Sequence, residues 1–340
     1  MRYPKVLKEH FTIGVCAPSA GIITEPNVSR FNNAIKTFES MGHKVVLSPS
    51  VRKYDKHRSN TAIVRAKEFM DLYTDDDIDV IISATGGEFM LEILPYIDFE
   101  YLKKFKPKFF EGFSDNTTLT FTLPTLLDTV AIYGANFCDY GMQPWHKAIK
   151  THYDFLQGKI NILNSQNKYE LKSLKKEPNM ELSPYNCTEK STWTILSGEK
   201  KVEMSGRLIG GCTDILLGLC GTKFDKVKEY LEKYKDDGFI WYLESCDLNI
   251  CNQTRALWEL KNAGWFKYAK GFIFGRPKDK EEMHDIDYKE ANYFHIKDLG
   301  VPVIIDADFG HVSPILPIIS GATAKIICEK GKGTIAYFFK

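Results

Sequence analysis

Through its first half the chain alternates short apolar runs with longer stretches whose apolar residues recur at helical spacing, and few folds accommodate that alternation. Phe11–Ala17, Lys44–Leu47, Ile78–Ala84, Lys108–Phe113 and Thr129–Tyr133 read as strands, and Asn27–Met41, Thr61–Tyr73 and Asn116–Leu127 as helices between them. Parallel neighbours need a long crossover, and a helix supplies it while covering a face of the sheet. The pattern therefore predicts an α/β protein whose N-terminal domain, residues 1–157, is a Rossmann-like parallel sheet. Such sheets hold ligands beyond the carboxyl ends of their strands.

From about Gly158 to Ser205 the periodicity fades, Asn, Ser, Lys and Glu become frequent, and Pro178 and Pro184 interrupt the chain. Residues 158–205 read as a partly structured connecting segment. Beyond it, residues 206–340 carry apolar runs at Arg207–Ile209, Phe239–Leu243, Gly271–Phe274, Val301–Ile305, Ala324–Ile327 and Thr334–Phe339, with helices at Asp225–Lys235, Gln253–Ala263 and Tyr288–Leu299. These predict a strand-rich C-terminal α/β domain, and at roughly 150 residues per domain the 340 residues suit two.

Lys and Arg number 45 against 44 Asp and Glu, and that balance argues against a nucleic-acid partner, which demands a surplus of cations. An apolar content of 44% excludes general disorder. No apolar run approaches the roughly 18 residues of a membrane helix, and Phe11–Ala17 is too short and strand-like for an export signal. The eight cysteines form no C-x-x-C pair, and Cys16 and Cys328 lie inside apolar runs. Free buried thiols in a reducing compartment, the cytoplasm, are expected.

The loop after the fourth strand carries the most chemistry. Phe109-Phe110-Glu111-Gly112-Phe113-Ser114-Asp115-Asn116 runs from a strand into a helix. Two readings stand. Ser114 or Asp115 caps the helix, or Ser114 is a nucleophile raised on a tight turn with the positive end of the helix behind it. The second glycine of a G-x-S-x-G elbow is missing, with Asn116 in its place. Ser83-Ala84-Thr85-Gly86-Gly87-Glu88 ends the third strand, either as a plain tight turn or as a loop whose Gly87 N–H joins that of Asp115 in an oxyanion hole. Neither G-x-G-x-x-G nor a P-loop pattern is present.

The second half offers two partners. Glu244 ends the apolar run Phe239–Leu243, as a solvated strand end or as a buried, paired carboxylate. His311 lies in the Gly/Pro loop Phe309-Gly310-His311-Val312-Ser313-Pro314, where packing is as ready an explanation as chemistry. Metal-ligand spacing is absent, so no metal or cofactor is expected. A cysteine nucleophile has little support, since no thiol sits in an elbow.

Together these segments resemble the LD-carboxypeptidase family of serine peptidases, including its microcin C immunity branch. The resemblance covers Gly14-Val15-Cys16-Ala17-Pro18-Ser19, Gly86-Gly87, Gly112-Phe113-Ser114-Asp115-Asn116-Thr117, Gly206-Arg207-Leu208-Ile209-Gly210-Gly211, Leu243-Glu244 and Gly310-His311. It implies a Ser114–Glu244–His311 triad at the domain interface and a homodimer. His311 would take the proton of Ser114, Glu244 would fix the imidazole tautomer, and an acyl-enzyme would form and hydrolyse. The implied substrates are the L,D-amide of a cell-wall tetrapeptide or the amide joining a peptide-derived residue to a nucleotide analogue. Ser191-Thr192-Trp193-Thr194 resembles a tryptophan-bearing stretch of the immunity branch, where an aromatic stacks on a nucleobase, although a lone tryptophan there equally suits packing. The chain length and long middle segment also resemble that branch. Arg65, Arg207 and Arg276 suit a carboxylate clamp by residue type alone. Two other classes remain as alternatives: a non-enzymatic small-molecule binding protein and a cysteine-dependent amidotransferase-like enzyme.

Overall fold

The computed structural model describes residues 1–278 and 280–339. Strands β1 (Thr12–Cys16), β2 (Lys44–Leu47), β3 (Val80–Ser83), β4 (Phe109–Gly112) and β5 (Ala131–Tyr133) are mutually parallel, in the order β5-β4-β3-β1-β2. Helices α1 (Asn27–Ser40), α2 (Ala62–Thr74), α3 (Phe99–Leu102) and α4 (Thr117–Leu127) alternate with them. Every residue of β3 is buried, as a parallel strand covered on both faces must be, and this is why Val80, Ile81 and Ile82 follow one another without a polar break.

The rest of the chain adds β6 (Ile162–Asn164), β7 (Lys168–Glu170), β8 (Cys187–Lys190), β9 (Thr194–Ile195), β10 (Lys201–Cys212), β11 (Phe239–Glu244), β12 (Ala269–Gly275), β13 (Val303–Ala307), β14 (Ile318–Ser320), β15 (Thr323–Glu329) and β16 (Lys332–Phe338). An eight-stranded sheet runs β6-β16-β15-β10-β11-β12-β13-β9, with β10 to β13 parallel and the flanking pairs antiparallel. Helix α5 (Lys147–Leu156) precedes it, and α6 (Thr213–Leu219), α7 (Val227–Lys233), α8 (Ile250–Asn262) and α9 (Tyr288–Tyr293) lie between its strands in sequence. In β10 exposed and buried residues alternate as far as Ser205, after which burial is continuous. The first part thus has one wet face and the second has none.

Two features join the halves. Strand β14 leaves the second sheet and pairs antiparallel with β5, becoming the sixth strand of the first. Helix α4 is buried on nearly all sides: Phe121 stacks on Trp265 at 5.1 Å, and Leu119 and Leu123 share one apolar cluster with Trp241 and Leu257. The segment after Gly158 is more than a connection, because β6 and β9 form the two edges of the second sheet and β7 pairs with β8. All eight cysteines are free. Among the described residues, no helix is long and apolar enough to cross a membrane.

Candidate active site

Strand β4 delivers the chain to Ser114, whose φ of 68° lies in the left-handed region. A non-glycine residue held there costs on the order of 1–3 kcal/mol, so its surroundings must hold it. Asn116 and Asn136 do so. The Asn116 Nδ2 donates to the carbonyls of Thr85 and Phe113 and to Asn136 Oδ1 at 3.0–3.1 Å, and the Phe113 N–H donates to the same Asn136 oxygen at 3.3 Å. No side chain caps α4. The Ser114 hydroxyl turns instead toward His311, whose Nε2 lies 2.9 Å from Oγ.

The other ring nitrogen of His311, Nδ1, is 2.8 Å from Glu244 Oε2. Glu244 is fully enclosed at the end of β11, while His311 keeps 14% of its side chain exposed. Burial opposes charge on Glu244, but His311, Tyr133 and Cys212 together hold its carboxyl below the usual range. Burial likewise opposes protonation of His311, yet Glu244 and Cys246 prevail and push its pKa up. The imidazole is thereby made a stronger base than a free one.

Tyr133 is a member of the site that no sequence motif marked. Its hydroxyl donates to Glu244 Oε1 and accepts the Ser114 N–H at 3.4 Å, so one phenol touches both ends of the chain of hydrogen bonds. The only hint lay in its place at the end of a strand next to that of Ser114. Cys212 stands opposite Glu244 in the β10–β11 register, and its thiol pKa is raised far above normal by burial and by that carboxylate. The sulfur, a Glu244 oxygen and a His311 nitrogen lie within 4.8 Å of one another and could hold a metal ion. An ion there would displace the Glu244–His311 hydrogen bond.

The Gly86–Gly87 loop passes directly beside the serine. A β-carbon on Gly86 would sit 3.0 Å from Ser114 Cβ and 3.2 Å from its Oγ, and one on Gly87 would meet Ser19 Oγ at 2.2 Å. Only glycines let the backbone come this close. The Asp115 carboxylate points away from the serine into the protein, accepting from Ser19 Oγ and from the Met90 N–H, and burial raises its pKa to about 6. Ser114 and His311 open onto a cleft of about 740 Å³, also lined by Tyr54, His57, Gly86, Gly87, Glu88 and Lys176. A second cavity of about 350 Å³, lined by Tyr169, Arg276, Lys278 and Lys280, also reaches His311.

Two family models match the chain: the LD-carboxypeptidase N-terminal domain over residues 13–134 and the LD-carboxypeptidase C-terminal domain over residues 205–326. The chain belongs to the LD-carboxypeptidase family. It is a serine-type carboxypeptidase. Among its relatives, the microcin C7 self-immunity protein MccF of Escherichia coli is 27% identical over 328 residues, 93% of this chain and 90% of that one. A probable murein peptide carboxypeptidase of Bacillus subtilis is 24% identical over 327 residues, 94% and 90% of the two chains. The fold is that of an MccF-like protein from Bacillus anthracis, with a TM-score of 0.82 at 23% identity and complete coverage of both chains. An MccF-like protein from Streptococcus pneumoniae, solved with AMP, gives a TM-score of 0.81 at 25% identity, covering 97% and 99%.

Some residues singled out in the sequence lie away from this LD-carboxypeptidase cleft. Trp193 is a correction. It is 2% exposed, its indole N–H donates to Asp308 at 2.8 Å, and it packs against Gly333, so neither ring face is open for stacking on a base. The arginines are already engaged: Arg65 with Glu92 and two carbonyls, Arg207 with Asp237, and Arg276 with Asp308. A guanidinium whose charge is matched inside the protein is a poor clamp for a substrate carboxylate. Arg276 nevertheless lines the second cavity.

Proposed function

We propose that Ser114 is the nucleophile, His311 the general base and Glu244 the carboxylate that fixes its tautomer. The observation that carries this reading is the unbroken chain Ser114 Oγ, His311 Nε2, His311 Nδ1 and Glu244 Oε2, with links of 2.9 and 2.8 Å. Ser114 attacks the amide carbonyl while His311 accepts its proton, and the carbonyl oxygen gains negative charge. The N–H groups of Gly87 and Asp115 receive that charge. Losing one such donor typically costs about 2.7–4 kcal/mol of barrier. His311 returns the proton to the leaving nitrogen, and water then releases the acyl group by the same steps in reverse.

For the substrate we propose the amide that joins an aminoacyl group to a nucleotide-like moiety. MccF, the relative named above, has been solved with glutamyl sulfamoyl guanosine and with aspartyl sulfamoyl adenosine. In this chain the cleft is lined by Tyr54, a residue 54% exposed, and we propose this aromatic side chain rather than Trp193 for stacking on a base. The second reading, cleavage of the L,D-amide of a cell-wall tetrapeptide, draws on the murein peptide carboxypeptidase relative. We further propose that the protein acts in the cytoplasm as a homodimer, which its mass in solution will test.

The deciding experiment incubates native protein and Ser114→Ala with an aminoacyl-sulfamoyl nucleoside and with an L,D-tetrapeptide. Hydrolysis of either one by native protein alone supports the triad. Undiminished turnover by a folded Ser114→Ala protein would refute it. A fluorophosphonate adduct on Ser114 would reject both a purely binding role and a cysteine nucleophile.

A further inference from the structure

A second buried glutamate–histidine pair lies near the site, and the mechanism above does not use it. Glu111 sits on β4 three residues before Ser114, His152 sits on α5, and neither side chain reaches solvent. His152 Nδ1 is 2.6 Å from Glu111 Oε1, and the Tyr140 hydroxyl donates to Glu111 Oε2 at 2.9 Å. The remaining ring nitrogen, Nε2, is 3.0 Å from the carbonyl oxygen of Ile315. A β-carbon on Gly134 would come within 2.5 Å of His152 and 3.1 Å of Glu111 Oε1, so a side chain at that position would displace the pair.

The hydrogen-bond inventory fixes one proton. A carbonyl oxygen only accepts, so His152 Nε2 carries a hydrogen and donates it to Ile315. Nδ1, which faces Glu111 Oε1 and lies 3.5 Å from the Ala135 N, then either donates to a carboxylate or accepts from a carboxylic acid and from that N–H. In both arrangements the pair is neutral overall and the bond to Ile315 is kept.

Ile315 lies four residues after His311, in the same loop. That loop has other anchors: Leu316 N–H to the Asp308 carbonyl at 2.8 Å, Glu170 N–H to the Ser313 carbonyl at 2.7 Å, and Arg276 to the Val312 carbonyl at 3.4 Å. These come from the loop itself, from β7 and from the end of β12. The His152 bond comes instead from a side chain tied to β4, the strand that delivers Ser114. A displacement of about 1 Å between reacting groups can cost on the order of a hundredfold in rate, so a strut at this junction bears directly on turnover.

We propose that Glu111 and His152 form a positioning pair that holds the His311 loop in register with the strand bearing Ser114. The proposal rests on the triad reading above. Its test measures kcat, KM and the rate of fluorophosphonate labelling of Ser114 in native protein, Glu111→Gln, His152→Phe and the double variant Glu111→Met/His152→Phe. Glu111→Gln keeps the donor to Ile315 and is expected within about threefold of native kcat. His152→Phe removes the donor and leaves Glu111 without its partner. It is expected to lose stability and at least tenfold in both kcat and labelling rate, with KM within twofold.

The double variant replaces the buried pair with apolar groups, which restores the melting temperature where packing is good. It is expected to regain stability but not kcat or labelling rate. A double variant with native stability, native kcat and native labelling would overturn the proposal and leave the pair a purely structural one. So would a His152→Phe protein whose only change is in KM. Failure of native protein to label at Ser114 would remove the triad reading itself, and this proposal with it.

Discussion

Two glutamate–histidine pairs occupy this molecule, and they are built alike. In each, Nδ1 of a histidine meets a fully buried glutamate, and a tyrosine hydroxyl donates to the other carboxylate oxygen: Tyr133 on Glu244, Tyr140 on Glu111. They differ in what faces Nε2. For His311 it is a serine hydroxyl at the edge of a cleft; for His152 it is a backbone carbonyl in a sealed interior. A hydroxyl can give up a proton and a carbonyl cannot. One pair can therefore move a proton, while its twin can only hold a bond.

Predictions that break or sharpen this contrast run from large effects to small. Ser114→Ala should lower kcat by about 10⁴-fold or more, since a triad without its nucleophile retains only what binding and oxyanion donors supply. Steady-state kinetics with the active substrate read this directly. Glu244→Gln should cost on the order of 10³–10⁴-fold by permitting the wrong tautomer, whereas Glu111→Gln should leave turnover nearly intact. That pair of glutamine variants is the sharpest form of the comparison.

The same variant carries a pH signature. Only neutral His311 accepts a proton, and Glu244 raises its pKa, so native kcat/KM should climb with pH and reach half its maximum above the usual histidine value of 6.5. Removing the carboxylate charge in Glu244→Gln should move that rising limb to lower pH; a limb that stays put would mean another group controls it. A smaller loss than that of Ser114→Ala or Glu244→Gln is expected of Tyr54→Ala. It should raise KM about tenfold or more for a nucleoside-linked amide and leave an L,D-tetrapeptide unaffected, because loss of a stacking face is worth roughly 1–3 kcal/mol. Equal effects on both substrates would remove Tyr54 from base recognition.

The legible parts of the fold were those where burial makes the sequence monotonous. Within Ile78–Ala84 the residues Val80–Ile82 are covered on both faces, as is Phe239–Leu243, and these apolar stretches give strands within two residues of the observed ends. Helix α5 escaped notice. Its buried face is Ala148, Ile149, His152, Phe155 and Leu156, and a histidine in the middle of that stripe disguises the period. Strands β6, β9 and β14 have two or three residues each, too few for any alternation to register. Ser114 stood out by its place between strand and helix. Glu244 and His311 drew their roles from family resemblance, since 67 residues separate them and only the closed fold brings them together. The Glu111–His152 pair left no trace in the sequence, because two common residues 41 positions apart form no motif.

The first sheet is completed by residues 318–320, which pair with β5. A ribosome finishes the five parallel strands long before it reaches them. Until then the β5 edge waits with its amides and carbonyls unpaired, one strand away from the backbone that carries Ser114, and the His311 loop has not yet been made. The Ser114–His311 contact and the covering of that edge thus both wait for residues 311–320.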